Sequence, residues 1–138
     1  MKHLSIRAVA LGVLVDLAGS VAVGVVLGIL VAIVAASTHN LSPDHMAALR
    51  NTVAVKLPGL IGTTFCTGLG GYVAARKTLP NGLVNSLAVG LVSLFLGIAL
   101  AILVPGVTPF WKLTTGVILT VPAACLGGYV ASRQVSAA

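Results

Sequence analysis

The stretch LGGYVAAR, residues 69–76, occurs a second time in this chain as LGGYVASR, residues 126–133. Seven of the eight letters agree at a constant offset of 57 residues. Three further identities upstream keep the same offset: Gly59 with Gly116, Ile61 with Ile118, and Thr63 with Thr120. Agreement at one fixed offset over this length indicates that a structural element has been duplicated.

A long apolar run precedes each copy. Residues 14–33, LVDLAGSVAVGVVLGILVAI, align with residues 83–102, LVNSLAVGLVSLFLGIALAI, at an offset of 69. This offset is 12 residues larger because the first copy has the longer loop. We therefore expect two tandem helical hairpins, repeat 1 over about residues 8–77 and repeat 2 over about residues 81–134. A hairpin returns the chain to its starting side, so the repeats should be parallel and related by a two-fold axis along the membrane normal.

The composition is that of an integral membrane protein. Hydrophobic residues make up 58% of the 138 residues and charged residues 7%, whereas a soluble domain has about 25% charged residues. Four apolar runs reach the ~20 residues that cross a hydrocarbon core, at residues 8–36, 57–75, 83–104 and 110–132. The sequence predicts an all-α polytopic protein in which residues 1–138 form a single four-helix domain in the lipid bilayer.

The basic residues are few and scattered. Eight Lys and Arg residues against two acids give a formal net charge of +6. They occur singly or as one adjacent pair, a pattern that suits anionic lipid headgroups and excludes the basic stripe of a nucleic-acid-binding protein.

The distribution of charge predicts the orientation. One side carries five basic residues, namely Lys2, Arg7, Arg76, Lys77 and Arg133. The other side carries Arg50, Lys56 and Lys112, offset by Asp44. The positive-inside rule then predicts that both termini are cytoplasmic. The first apolar run is nearly twice the about 7–15 residues of a signal-peptide core, so we expect it to be retained.

The one long polar segment lies between the first two spans. Ser42 is a candidate N-cap before Pro43 and Asp44, so residues 42–50, SPDHMAALR, predict a short helix that leads into the second span. His39, Asp44 and His45 share this segment, but they lack the spacing of a metal site and are expected to be solvated. We expect no metal and no other cofactor.

Small residues recur at every fourth position of each span, and residues four apart share a helix face. In the first span the row is Gly12, Asp16, Ser20, Gly24, Gly28, Ala32 and Ala36; in the third it is Asn85, Val89, Ser93, Gly97 and Ala101. In the second it is Gly59, Thr63, Thr67, Gly71 and Ala75; in the fourth it is Gly116, Thr120, Ala124, Gly128 and Ser132. The rows predict close helix packing; the alternative is a polar pathway lined by their Ser and Thr members.

Asp16 is the one acid inside an apolar run. A carboxylate near the centre of a bilayer helix costs about 2.5–3.5 kcal/mol on insertion scales, so it requires a partner or a function. Its repeat mate is Asn85, expected at the equivalent depth, while Arg76 and Arg133 lie near the span ends and Ser20 follows in the same row. One interpretation is an ion pair or hydrogen-bonded network that joins the hairpins. The other is a proton- or cation-handling site at the repeat interface.

Nothing in the sequence indicates an enzyme. No Ser-His-Asp or Cys-His arrangement is present, and the histidines and acids are too few for general acid–base catalysis. Cys66 and Cys125 lie inside apolar runs without metal-binding spacing and are interpreted as buried thiols.

The segment GGYVAAR followed by NGLVNSLAVG resembles small four-span bacterial and archaeal membrane proteins of unknown function. That resemblance implies a prokaryotic cytoplasmic (inner) membrane and supplies no site residues. GLVNSLAVG and PFWKLTTG also look like parts of the four-span fluoride channels, but the segment after Trp111 lacks the phenylalanines of that family's signature.

Two functions follow as hypotheses. The first is a structural or accessory protein that packs with a membrane-protein partner or with itself as a homodimer. The alternative is a small transporter or ion channel with a polar site around Asp16 and Asn85.

Overall fold

A computed structural model describes residues 4–78, 82–103 and 110–136, and for residues 110–113, 135 and 136 the backbone alone. Across these ranges the chain forms five helices: α1 (Ile6–Ser37), α2 (Pro43–Arg50), α3 (Val53–Arg76), α4 (Gly82–Leu103) and α5 (Phe110–Ser136). Four of them, all except α2, are long and apolar enough to cross a membrane. The prediction of an all-α polytopic fold is therefore confirmed.

Capping side chains set where the first two helices begin. Ser5 caps α1 by accepting a hydrogen bond from the Ala8 N–H at 3.4 Å, which satisfies one of the otherwise unpaired first-turn donors. Ser42 caps α2 in the same way from the His45 N–H at 3.3 Å, with Pro43 in the first turn. The expected short helix over residues 42–50 is present as α2, which ends at Arg50 with Asn51 as its C-cap, so it is separate from α3.

The antiparallel pair α1–α3 is held by close backbone contact. A Cβ added to Gly12 would lie 2.6 Å from the Gly70 carbonyl oxygen, and one added to Gly70 would lie 2.5 Å from the Gly12 carbonyl oxygen. Further along the pair, Gly19 faces Cys66 and Gly62 faces Val23. Glycine thus allows the two backbones to touch, which is how helices gain packing energy in lipid.

The second hairpin, α4–α5, packs mainly on α3, and its helix α4 also contacts α1. Gly128 of α5 faces Ser86 of α4, and Gly71 of α3 faces the backbone of Ala124 in α5. Both α3 and α4 contact all three other membrane-spanning helices, whereas no contact joins α1 to α5 in the described part of the chain.

This pattern differs from the expected two-fold arrangement. A two-fold axis that exchanged α1 with α4 and α3 with α5 would require an α5–α1 contact for each α3–α4 contact. In the described residues α3 contacts α4, but α1 does not contact α5. The chain connection provides the physical reason: α3 ends at Arg76 and α4 begins at Gly82, so the connection is short, and Gly82 packs directly on Ala75. The two hairpins consequently lie side by side, with α3 and α4 in the middle.

Packing is tight at one end of the bundle and loose at the other. We call the end where α1 and α4 begin and α3 and α5 end the arginine end, and the opposite end the α2 end. The members of the small-residue rows that are buried near the arginine end are Gly12, Gly71, Ala75, Asn85, Val89, Ala124 and Gly128. Toward the α2 end, a Cβ added to Gly24, Gly28, Gly97 or Gly116 would meet nothing within 4 Å. The rows therefore pack closely over only part of their length.

Candidate polar cavity around Asp16

A polar cavity opens at the level where the hairpins separate. Its volume is about 370 Å³. All four membrane-spanning helices contribute to its lining, which consists of Asp16, Leu17, Ser20, Thr67, Ser93, Leu96, Gly97, Leu100 and Thr120. One carboxylate and four hydroxyl groups therefore share a single cavity in the bundle.

Two hydroxyl groups donate to the Asp16 carboxylate. Asp16 is 5% exposed, and its Oδ1 accepts a hydrogen bond from Thr67 Oγ1 at 2.9 Å and a longer one from Ser20 Oγ at 3.5 Å. The close approach of Gly12 and Gly70 brings α1 and α3 together one turn away, which places Thr67 within reach of Asp16. The site thus depends directly on glycine packing.

No basic side chain neutralises this carboxylate within the described ranges. Both hydrogen bonds go to Oδ1, so Oδ2 accepts none. Arg76 instead donates from Nη1 to the Tyr72 hydroxyl at 3.4 Å, and the Arg133 guanidinium lies over the Tyr129 ring, 5.0 Å from its centroid. Both arginines are exposed at the arginine end, so the structure does not bring them to Asp16.

Ser93 supplies an unsatisfied polar group to the cavity. Its Oγ is buried and has no hydrogen-bond partner among the described residues. The register of the two helices places it beside Asp16: Gly12 packs against Val89, and Asp16 and Ser93 each follow four residues later. An unpartnered buried hydroxyl is uncommon in a folded protein and favours a bound water or ligand.

Asn85 lies elsewhere, and not at the depth of Asp16. Its Oδ1 accepts a hydrogen bond from the Ser5 N–H at 2.8 Å, at the start of α1. Asp16 follows Ile6 by ten residues, about 15 Å along the helix, whereas Asn85 follows Gly82 by three, about 4.5 Å. The repeat mates differ in depth because α1 begins much further ahead of the repeated segment than α4 does.

The remaining hydroxyl group of the cavity, that of Thr120, is bonded within its own helix. Thr120 Oγ1 donates to the Gly116 carbonyl oxygen at 2.6 Å, and Thr67 Oγ1 also lies 3.1 Å from the Thr63 carbonyl oxygen. A hydroxyl group that donates its proton in this way retains oxygen lone pairs that can accept or coordinate. The cavity is therefore rich in oxygen acceptors.

The chemistry of the cavity suits a proton or a small cation with oxygen ligands. Across the ranges that the structure describes, no three His, Cys, Asp or Glu side chains form a metal-ligand group. In the polar loop, His45 Nε2 lies 3.2 Å from Thr38 Oγ1. Cys66 is buried and Cys125 half-buried, and both are free thiols.

The sequence identified Asp16 and Ser20 as candidate site residues but did not single out Thr67, Ser93 or Thr120. A signal for all three was present, because each belongs to a small-residue row. Which Ser and Thr members share a cavity depends on the register between helices, and a single helix pattern does not contain that information.

Comparison with protein-family models, with curated proteins and with solved structures finds no match for this chain.

Proposed function

We propose that this protein is a small membrane transporter in which Asp16 binds a cation, a proton included, inside the cavity. The observation that carries the proposal is a buried carboxylate whose only hydrogen-bond partners among the described residues are hydroxyl groups. A structural acid in a membrane bundle normally pairs with a fixed positive charge. Here a mobile cation would supply the missing charge.

The shape of the bundle favours a transporter over an open channel. The cavity includes Gly97 and Leu100 of α4, toward the α2 end, where the hairpins are apart. Toward the arginine end, the contact of Gly71 with the Ala124 backbone closes the space between α3 and α5. A cation would enter from the α2 end, and its release at the other side would require this packing to loosen.

The decisive variant is Asp16→Asn in proteoliposomes that carry a proton, Na⁺ or K⁺ gradient in separate experiments. Asparagine keeps an oxygen acceptor for Thr67 and Ser20, so we expect a folded protein. We expect flux of the transported cation to fall at least about tenfold, because the binding charge is lost. The matched control is Asp44→Asn, which removes the chain's other acid, in the exposed helix α2, and should leave flux unchanged.

A second variant tests the cavity without touching the carboxylate. Gly97 lines the cavity and has open space around it, so Gly97→Leu should fill the cavity and reduce flux. Gly24→Leu introduces the same side chain at an equally open site of α1 outside the cavity lining and serves as its control. Flux that persists in both Asp16→Asn and Gly97→Leu, with both proteins folded, contradicts the proposal.

The second candidate is a structural or accessory role, in which the chain packs with a copy of itself or with another membrane protein. The observation in its favour is the open surface at Gly24 and Gly28 of α1, where another helix could approach as closely as α3 approaches Gly12. This role predicts no flux of any cation. It also predicts that Gly24→Leu lowers the oligomeric fraction measured in lipid by single-molecule photobleaching.

We further propose that the protein resides in a prokaryotic cytoplasmic membrane with both termini in the cytoplasm. The excess of basic residues at the arginine end supports this orientation. The α2 end, from which the cation would enter, then faces the outside of the cell.

A further inference from the structure

A second, larger cavity runs along the outside of the bundle between α3 and α5. Its volume is about 520 Å³. The lining, which we call the α3–α5 groove, is almost wholly apolar and consists of Leu60, Ile61, Thr64, Phe65, Gly68, Leu69, Tyr72, Leu119, Ala123, Leu126, Gly127 and Val130. Phe65 and Leu126 are 67% and 65% exposed, so their side chains rise from the surface as the rims of the groove.

Polar groups close the arginine end of this groove. The Tyr72 hydroxyl donates to Gln134 Oε1 at 2.7 Å and so joins α3 to α5. Arg76 donates to the same hydroxyl oxygen. Arg133 follows Val130 by three residues and therefore lies near the same face of α5.

The charge at this end is positive and is not balanced by an acid. Arg76, Lys77 and Arg133 are all exposed. The chain has two acids: Asp16 lies in the polar cavity, and Asp44 belongs to α2 at the opposite end. An anionic group would meet two or three basic side chains here and no carboxylate.

We propose that the α3–α5 groove binds an anionic phospholipid, with an acyl chain in the groove and the headgroup phosphate at Arg76 and Arg133. From Leu60 to Tyr72 the groove extends about 18 Å along α3, close to the ~15 Å depth of one leaflet. The apolar lining of the groove matches an acyl chain, and the guanidinium groups at its arginine end match a headgroup phosphate.

A second copy of this chain is a poorer occupant. Two copies that met symmetrically through this groove would bring Arg76 and Arg133 of each close to those of the other. These like charges repel, whereas a lipid phosphate attracts them. A free phosphate ion would contact the arginines but leave the groove empty. Dependence of binding on the acyl chain therefore distinguishes a phospholipid from a free phosphate ion.

The test uses the full-length protein in detergent and native mass spectrometry with added phosphatidylglycerol or phosphatidylcholine of the same acyl chains. We expect phosphatidylglycerol to bind about tenfold more tightly, as two basic side chains near a headgroup imply. In Arg76→Gln/Arg133→Gln this preference should disappear. The control Arg7→Gln/Arg50→Gln removes the same charge away from the groove and should retain it.

A groove variant tests the acyl-chain part. A Cβ added to Gly68 would meet only the Ala123 carbonyl oxygen, at an ordinary 3.5 Å, so Gly68→Leu should fold and fill the groove. We expect it to weaken binding of both lipids, while Gly116→Leu, at an open site outside the groove, does not. The proposal is overturned if the preference survives the double arginine substitution. It is equally overturned if Gly68→Leu binds like the parent, if inorganic phosphate displaces the lipid, or if a second copy occupies the groove.

Discussion

At the scale of single residues, glycines with the same sequence signal perform different tasks in this bundle. Gly71 and Gly24 both belong to small-residue rows. A Cβ added to Gly71 would collide with the carbonyl oxygen and Cα of Ala124, whereas one added to Gly24 would meet nothing. Backbone atoms cannot rotate away as a side chain can, so the two sites should respond differently to one methyl group.

Gly71→Ala is therefore expected to lower the free energy of unfolding by about 1–3 kcal/mol, the range for overpacking a close contact. Gly24→Ala should be neutral or slightly stabilising, because alanine is the better helix former. Unfolding of both variants by SDS in mixed micelles, followed by circular dichroism, measures the difference. Equal effects at the two sites would contradict the difference in packing between the arginine end and the α2 end.

Residue patterns identified Asp16 and Ser20 but not Thr67, the partner of Asp16 on another helix. Asp16 stood out because one carboxylate in an apolar run is costly, and its place in a small-residue row indicated that it faces protein. Its hydrogen bond to Thr67 depends on how far α3 slides along α1, a distance set by the Gly12–Gly70 contact. Arg76 and Arg133 were equally plausible partners from sequence, but each has a tyrosine one turn away.

At the scale of helices, α1 and α4 are linked by a polar contact near the arginine end. Asn85 and Ser86 are both fully buried neighbours on α4. Asn85 accepts a hydrogen bond from the Ser5 N–H across to α1, whereas Ser86 Oγ donates to Leu83 within its own helix. Asn85 therefore makes a hydrogen bond between two helices, whereas the hydrogen bond of Ser86 stays within one helix.

We expect Asn85→Ala to leave the half-buried Ser5 N–H without this acceptor, at a cost of about 1 kcal/mol, and to free the first turn of α1. Hydrogen–deuterium exchange of residues 5–9 should accelerate in this variant. Ser86→Ala, which removes a bond within one helix, should leave exchange there unchanged. Identical exchange in the two variants would show that Asn85 does not hold the start of α1.

Helix periods and lengths were predictable at this scale, but relative depth was not. The repeat alignment pairs Asp16 with Asn85, yet the helices meet with Gly12 beside Val89, eight residues away from that pairing. Alignment compares residues within the chain, whereas depth follows from where each helix starts. Aligned residues lie at the same depth only when the first helices of both repeats begin at the same point of the alignment.

At the scale of the whole molecule, the arginine end and the α2 end differ in charge as well as in packing. Reporter fusions at the C-terminus test the orientation that this difference implies. We expect a C-terminal fluorescent protein that folds only in the cytoplasm to be active, and an alkaline phosphatase that folds only outside to be inactive. A fusion after residue 40, in the polar segment before α2, should give the opposite pair of results. The reverse pattern at both sites would contradict this orientation, and the cation would then enter from the cytoplasm.

The four spans and their antiparallel hairpins could be predicted from composition and repeat spacing. Both depend on residues that are close together in the chain. The side-by-side placement of the hairpins could not be predicted. It arises from the short α3–α4 connection, which holds Gly82 against Ala75 and leaves α1 and α5 without contact in the described residues. A predicted repeat does not require a symmetric structure, because the chain joins the second membrane-spanning helix of the first hairpin, α3, to the first of the second, α4, and makes no equivalent connection from α5 to α1.

The absence of contact between α1 and α5 in the described ranges also bears on how the protein is synthesised. The ribosome delivers α5 after α1 to α4, so the helices on which it packs, α3 and α4, are by then already made. Until that moment the Asp16 cavity lacks the wall that carries Thr120, and the α3–α5 groove has a single side. Both sites therefore come into existence together, when α5 is added, so that a nascent chain exposes neither of them in finished form before α5 is made.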